Sequence, residues 1–349
     1  MTSHDFERLI ELEFVRATEN AALHSLHWMG RGNKEAADEA ACDAIRGMFD
    51  LIDIRGEVVI GEGIKDNAPG IFLGDKLGRW GDSHPRFDIA LDPIDGTSNI
   101  SKGMPNSISV MSAVLVPEGR ERSMVNIPSF YVEKLSFGPR VERAIREGLV
   151  APITLDLPFE HTLEIAADAL GKRMSELVVT VLDRPRNQHY IDAVRAVGAS
   201  LRLIADGDIT AAVAPSLPDS GIDLFVGKGG APEGILTASA LKALGGEIFV
   251  RMWPRDDAER KELLGQFTEA ELARIYSRDD LVSGDSAVFC ATGISDSPLL
   301  PGVKLIGKTA ITHSILMRSR SKTIRYIKAV HDLETKTIHL HSLKAEEHL

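Results

Sequence analysis

The chain has 349 residues, 44% hydrophobic and 26% charged, which are ordinary globular values and suggest about two domains. A net charge of −11, with Lys and Arg dispersed among acids, argues against a basic nucleic-acid-binding face. No stretch is apolar for long enough to predict a membrane span, no signal-peptide pattern opens the chain, and Cys42 and Cys290 read as buried thiols of a cytoplasmic protein.

Phe6, Leu9, Ile10, Phe14, Ala17 and Ala21 recur at three- and four-residue spacing, predicting an amphipathic helix over 5–28. Gly30, Gly32 and Asn33 break it. A second helix is expected over 34–51, with Ala37, Ala41, Ile45 and Met48 on one face and Asp38 near its first turn. Glu57-Val58-Val59-Ile60 reads as a strand ending at Gly61-Glu62-Gly63. Further strands are expected at 87–91, 107–116, 177–182, 200–204 and 222–226, with helices at 159–171, 187–198 and 232–244. Residues 254–281 are charge-rich and expected to be helical, and 313–333 close the fold. This alternation predicts layered α/β architecture. The expected division is an N-terminal α/β domain over 1–165 carrying the metal motifs and a C-terminal one over 166–349 completing the site.

The sharpest local signal is Asp92-Pro93-Ile94-Asp95-Gly96-Thr97, which follows the predicted strand at 87–91. Pro93 fixes φ, and Gly96 permits a tight or left-handed bend, so two carboxylates and a hydroxyl cluster at the strand's mouth. Like charges that close are unfavourable unless a cation neutralises them. A hard divalent ion with oxygen ligands, Mg²⁺ above all, is the expected partner. The same residues also suit a polar β-turn.

Three further acids fall at the ends of predicted elements: Asp38, Glu62 between two glycines, and Glu233 in Gly229-Gly230-Ala231-Pro232-Glu233-Gly234. Singly, each has a plain structural role; Asp38, for instance, complements a helix dipole. Together with Asp92 and Asp95 they look like ligands from separate segments converging on two or three metals. The segment 227–232 reads as a Gly-rich loop preceding a helix, a place that favours an anion, with Lys228 adding charge. Asp183-Arg184-Pro185-Arg186 offers two guanidinium forks for a second phosphate, or forms a surface turn. Asp206-Gly207-Asp208 suits sugar hydroxyls or cations. The eleven histidines show no zinc-ligand spacing.

These segments, with Gly30-Arg31-Gly32-Asn33-Lys34-Glu35-Ala36-Ala37-Asp38, resemble class II fructose-1,6-bisphosphatases in order and spacing over nearly the whole chain. The resemblance implies a layered α-β-α-β-α sandwich of the lithium-sensitive sugar-phosphatase type and a need for Mg²⁺ or Mn²⁺. It implies metal ligation by Asp38, Glu62, Asp92, Asp95 and Glu233, with Asp38, Glu62, Asp95 and Thr97 as the catalytic set. Substrate contacts are implied for Lys34, Asp95, Gly96, Thr97, Tyr131, Arg184, Arg186, Asp206, Asp208 and Gly230. A homodimer or homotetramer is implied by the same likeness.

Three positions depart from the family pattern: Asp95 in place of glutamate, Ile64 in place of an acid, and Lys228 in place of an apolar residue. They bear on which sugar phosphate is used. Fructose-1,6-bisphosphate is the expected substrate. Sedoheptulose-1,7-bisphosphate, a specialised sugar monophosphate, or a catalytically silent sugar-phosphate-binding role are the alternatives. Inositol monophosphatases share D-P-I-D-G-T, but the paired glutamates and later Trp-Asp that accompany it there are absent here.

Overall fold

A computed structural model describes residues 6–61, 70–342 and 345–348, so Glu62 and Ile64 lie outside the described residues. Helix α1 (Phe6–Ser25) buries Ile10, Phe14, Ala17 and Ala21, and α2 (Lys34–Phe49) buries Ala37, Ala41, Ile45 and Met48, the expected stripes. Asn33 caps α2, its Oδ1 accepting the Ala36 N–H at 3.0 Å. Strand β1 (Arg55–Ile60) pairs antiparallel with β2 (Lys76–Leu77) and parallel with β3 (Arg86–Asp95). Along β3, Phe87, Ile89 and Leu91 join Phe14, Ile45 and Phe49 in one core cluster. Period-two alternation therefore sends Asp88, Ala90 and Asp92 to the other face. Helix α3 (Thr97–Lys102) leads into β4 (Ile108–Leu115), antiparallel to β3.

The next segment runs through β5 (Tyr131–Phe137), α4 (Pro139–Arg146), α5 (Phe159–Leu170), β6 (Val178–Leu182), α6 (Gln188–Ala196) and β7 (Ser200–Ile204). It continues with α7 (Asp208–Val213), β8 (Leu224–Gly230), α8 (Ala231–Leu244) and β9 (Glu247–Met252). The expected helical span 254–281 is instead α9 (Asp257–Leu264), α10 (Glu269–Leu272), β10 (Ile275–Tyr276) and α11 (Arg278–Leu281). The reason is local: Asp256 and Thr268 each accept the N–H three residues on, starting a new helix, and Gly265 lies between. The sheet order is β10-β9-β5-β8-β6-β7. On one face Leu135, Phe137, Val179, Val181, Leu224 and Val226 cluster with Val141, Leu163, Ala166, Ile191 and Val194 of α4, α5 and α6. On the other, Phe225 packs on Ala211 and Ala212 of α7, so helices cover both faces.

The chain then returns as β11 (Ala287–Gly293), β12 (Lys304–Ile306), β13 (Thr309–Arg318), β14 (Thr323–Asp332), β15 (Thr337–Leu340) and β16 (Ala345–His348). Strand β11 pairs with β4 along its full length, giving the order β12-β13-β11-β4-β3-β1-β2, with β14 on β13. Cys290 on β11 and Cys42 on α2 are buried and in no disulfide among the described residues, as expected. The two compact units are therefore 1–125 with 282–349, and 126–281. The expected cut between residues 165 and 166 falls inside α5. A single cut fails because β11 completes a sheet begun 170 or more residues earlier, a long-range pairing that linear composition does not signal. The α/β class holds in both units: each is a mixed sheet with helices packed on it.

Candidate active site

In the first unit the strand does not stop at Leu91 but runs through Asp95. Pairing with β4 is regular to Asp92 opposite Val110, then shifts before Asp95 opposite Ile108. Pro93, with no N–H to donate, lies within that irregularity. Asp92 is half-buried and its Oδ1 accepts the Ile94 N–H at 3.1 Å; Asp95 is only 4% exposed. Gly96 has φ +90°, and a Cβ there would overlap the Asn106 carbonyl oxygen, so the left-handed bend requires glycine. Thr97 is then the first residue of α3.

Backbone bonds bring the start of α2 to this turn. Gly30 N–H donates to Ile100 O at 2.8 Å and Gly32 N–H to Ser101 O at 2.9 Å. The glycine pair before Asn33 thus docks the α1–α2 connection on α3, which carries half-buried Asp38 and exposed Lys34 to the same end of the unit. Lys34 stands 3.7 Å from Glu35. Among the described residues no three acidic, His or Cys side chains form a complete ligand set for a metal, and Glu62 is not among them. The donors present are hard carboxylate oxygens, which suit a hard divalent cation.

In the second unit, the expected Gly-rich loop at 227–230 is the end of strand β8. The reason is a partner strand that charged residues conceal in the sequence: β5 pairs Tyr131 with Gly230 and Glu133 with Lys228. Lys134, 1% exposed, donates from Nζ to Asp208 Oδ2 at 2.6 Å and to the Gly230 carbonyl at 3.0 Å. A Cβ on Gly229 would overlap the Asp208 carboxylate, and one on Gly230 the Glu233 carboxylate. The glycines are needed for close approach of these groups, not for loop freedom.

Glu233 lies in the first turn of α8. Burial pushes its carboxyl up to about 7, Asp208 pushes the same way, and Lys134 opposes both. Its Oε2 has no hydrogen-bond partner among the described residues. One ammonium thus faces two buried carboxylates, with half-buried Asp206 close behind, and a cation would resolve the imbalance. Lys134 was not expected as a site residue. Adjacent opposite charges, Glu133 and Lys134, set between Val132 and Leu135 are the signal that could have found it.

The same unit holds the arginine motif. Pro185 starts a short 3₁₀ turn after β6, Arg184 donates to the Asp183 carbonyl at 3.0 Å, and Arg186 donates from Nε to the Lys228 carbonyl at 2.8 Å. The Arg186 guanidinium lies 4.1 Å over the Tyr131 ring. Asn187 anchors the turn by accepting the Lys228 N–H at 2.8 Å. Tyr131, Arg184, Arg186, Asp206, Asp208, Gly230 and Glu233 thus gather in one unit; Lys34, Asp38, Asp92, Asp95, Gly96 and Thr97 gather in the other.

Carboxylates for a hard cation together with arginine–aromatic seating for an anion define a class of α/β protein equipped for phosphoester chemistry. Comparison with known proteins makes the assignment particular. A family model described as "Bacterial fructose-1,6-bisphosphatase, glpX-encoded" matches residues 8–331. The chain is 39% identical over 338 residues to the fructose-1,6-bisphosphatase class 2 of Haemophilus influenzae, covering 94% of this chain and 97% of the relative. It is 38% identical over 341 residues to the fructose-1,6-bisphosphatase 1 class 2 of Escherichia coli strain K12, with the same coverage. The chain belongs to the class 2 fructose-1,6-bisphosphatase family, a family of metal-dependent phosphatases.

Proposed function

We propose that the protein hydrolyses the 1-phosphate of fructose-1,6-bisphosphate in a Mg²⁺- or Mn²⁺-dependent reaction by direct attack of water. The observation that carries this is the Asp92–Thr97 strand-to-helix turn, held against the start of α2 by the Gly30 and Gly32 backbone bonds. Family membership over residues 8–331 supports the substrate class. Asp38, Glu62, Asp92, Asp95 and Glu233 are the proposed metal ligands. When bound, the metal lowers the pKa of water and neutralises phosphoryl oxygens. Thr97 and Asp38 orient the attacking water, and Lys34, Asp95, Gly96 and Gly230 position the sugar phosphate. Asp206 and Asp208 face sugar hydroxyls, while Tyr131, Arg184 and Arg186 hold the distal phosphate. Charge spreads over the phosphoryl oxygens in the transition state, so positioning and electrostatics carry most of the catalysis. We further read the protein as a cytoplasmic homodimer or homotetramer, on the family likeness.

The test is phosphate release from fructose-1,6-bisphosphate and sedoheptulose-1,7-bisphosphate, with each metal, beside sugar monophosphates. Metal-dependent turnover led by fructose-1,6-bisphosphate is expected, and preference for a monophosphate would overturn the substrate assignment. Asp92→Asn is expected to remove turnover by roughly 10²-fold or more while leaving the melting temperature within a few degrees, because the half-buried side chain is replaced by an isostere. Unchanged phosphate release from that variant rejects Asp92 as a ligand.

A further inference from the structure

Lys228 lies opposite Glu133 in the β5–β8 ladder and points to the face covered by α6. Its Nζ sits 4.9 Å over the Trp253 ring and 5.8 Å over the Tyr190 ring. The Trp253 and Tyr131 rings are 6.3 Å apart, and Tyr131 is the ring under Arg186. Two cations therefore stand on neighbouring members of one aromatic wall, joined by the bond from Arg186 Nε to the Lys228 carbonyl. Neither forms an ion pair among the described residues. Glu133, the carboxylate across the ladder, is already engaged by Arg251, at 3.1 and 2.5 Å, and by the Tyr190 hydroxyl. Arg251 is further held by Asp156 at 2.6 Å. Lys228 and Arg186 are left half-buried with no ion pair of their own among the described residues; Glu133 attracts Lys228 across the ladder but is shared with Arg251.

Such a pair is unfavourable until an anion of matching charge binds, and flanking rings that thin out water strengthen that attraction. Arg186 supplies a planar fork for two oxygens, and Lys228 a point charge. We propose that Lys228 is a specificity-determining residue. With Arg186 it seats the second, non-reacting phosphate of a sugar bisphosphate and thereby favours bisphosphates over monophosphates. This rests on the phosphatase reading above, which assigns the distal phosphate to the arginine motif without Lys228.

The experiment compares wild type, Lys228→Met and Lys228→Arg on fructose-1,6-bisphosphate and fructose 1-phosphate, which lacks the distal group. Removing one charge-assisted contact is expected to raise KM for the bisphosphate by about tenfold in Lys228→Met, with kcat within about twofold. KM for the monophosphate stays unchanged, and Lys228→Arg restores most of the loss. Equal changes for both substrates, or none for either, overturn the proposal. Equilibrium titration of both ligands in EDTA, where nothing turns over, separates this inference from the assigned reaction. A bisphosphate preference of wild type that Lys228→Met abolishes supports the seat even if hydrolysis is not observed. Hydrolysis with no Lys228-dependent preference in either assay rejects the seat and leaves the phosphatase assignment standing.

Discussion

Glu233 shows how much one residue can carry. Its carboxyl is raised to about 7 from an ordinary 4.5, by burial first and by Asp208 second. A carboxyl raised in the folded state binds its proton more tightly there than in the unfolded chain. Its contribution to stability is therefore complete below about 4.5 and is lost as the pH rises through about 7. In EDTA, the melting temperature of wild type relative to Glu233→Gln is expected to fall by a few degrees between pH 5 and 8, at ~2–4 °C per kcal/mol for chains of 150–250 residues. A difference that stays flat in calorimetry across that range would show that Glu233 is not buried as an acid. A metal ion substitutes for the proton at such a carboxylate, so the same residue is suited to ligation above neutral pH.

At the scale of elements, the site depends on a few glycines with separable jobs. Gly96 combines φ +90° with a Cβ position filled by the Asn106 carbonyl, whereas Gly32 has φ +74° and open space around its Cβ. Gly32→Ala should cost only the left-handed strain, about 1–2 kcal/mol. Gly96→Ala adds a backbone clash at the turn between Asp95 and Thr97 and should cost more, with loss of turnover. Urea unfolding and phosphate release on the two variants check the ranking; equal losses would show that space at Gly96 is not limiting. These glycines also show why parts of the site were hard to read as a pattern. Gly227 to Gly230 has loop composition, yet pairing with β5 makes it strand, and its glycines leave room for Asp208, Lys134 and Glu233. Strand β5 is hard to read because Glu133 and Lys134 interrupt its apolar residues, each held by an ion pair made only in the fold.

At the scale of the molecule, residues 126–281 form a continuous unit that interrupts the sequence of a discontinuous one. The departing and returning chains lie side by side in the first unit: Met124 bridges Val282, and the Ser283 N–H donates to Ser123 O at 2.9 Å. Neighbouring ends of this kind are what an inserted unit needs. With its own sheet, and a core built on Leu135, Phe137, Val179 and Val226, the fragment 126–281 is expected to fold cooperatively by itself. A single sigmoidal thermal transition in circular dichroism supports this, and a broad, non-cooperative melt refutes it. The complementary segments are not expected to fold without each other, since β11 fills the middle of their sheet.

The sequence by itself determined what is local. The stripes of α1 and α2, the left-handed turn at Gly96, the acids at element ends and the arginine pair around Pro185 all follow from spacing, φ preference and side-chain chemistry. Tertiary structure alone decided the β11–β4 pairing that splits the first unit, the strand character of residues 227–230, the burial of Lys134 against Asp208, and the seating of Lys228 and Arg186 on aromatic rings. The physical reason is common to all four. Whether a charge is neutralised, and whether a glycine is a hinge or a space, depends on atoms from distant parts of the chain, and only their packing sets the balance.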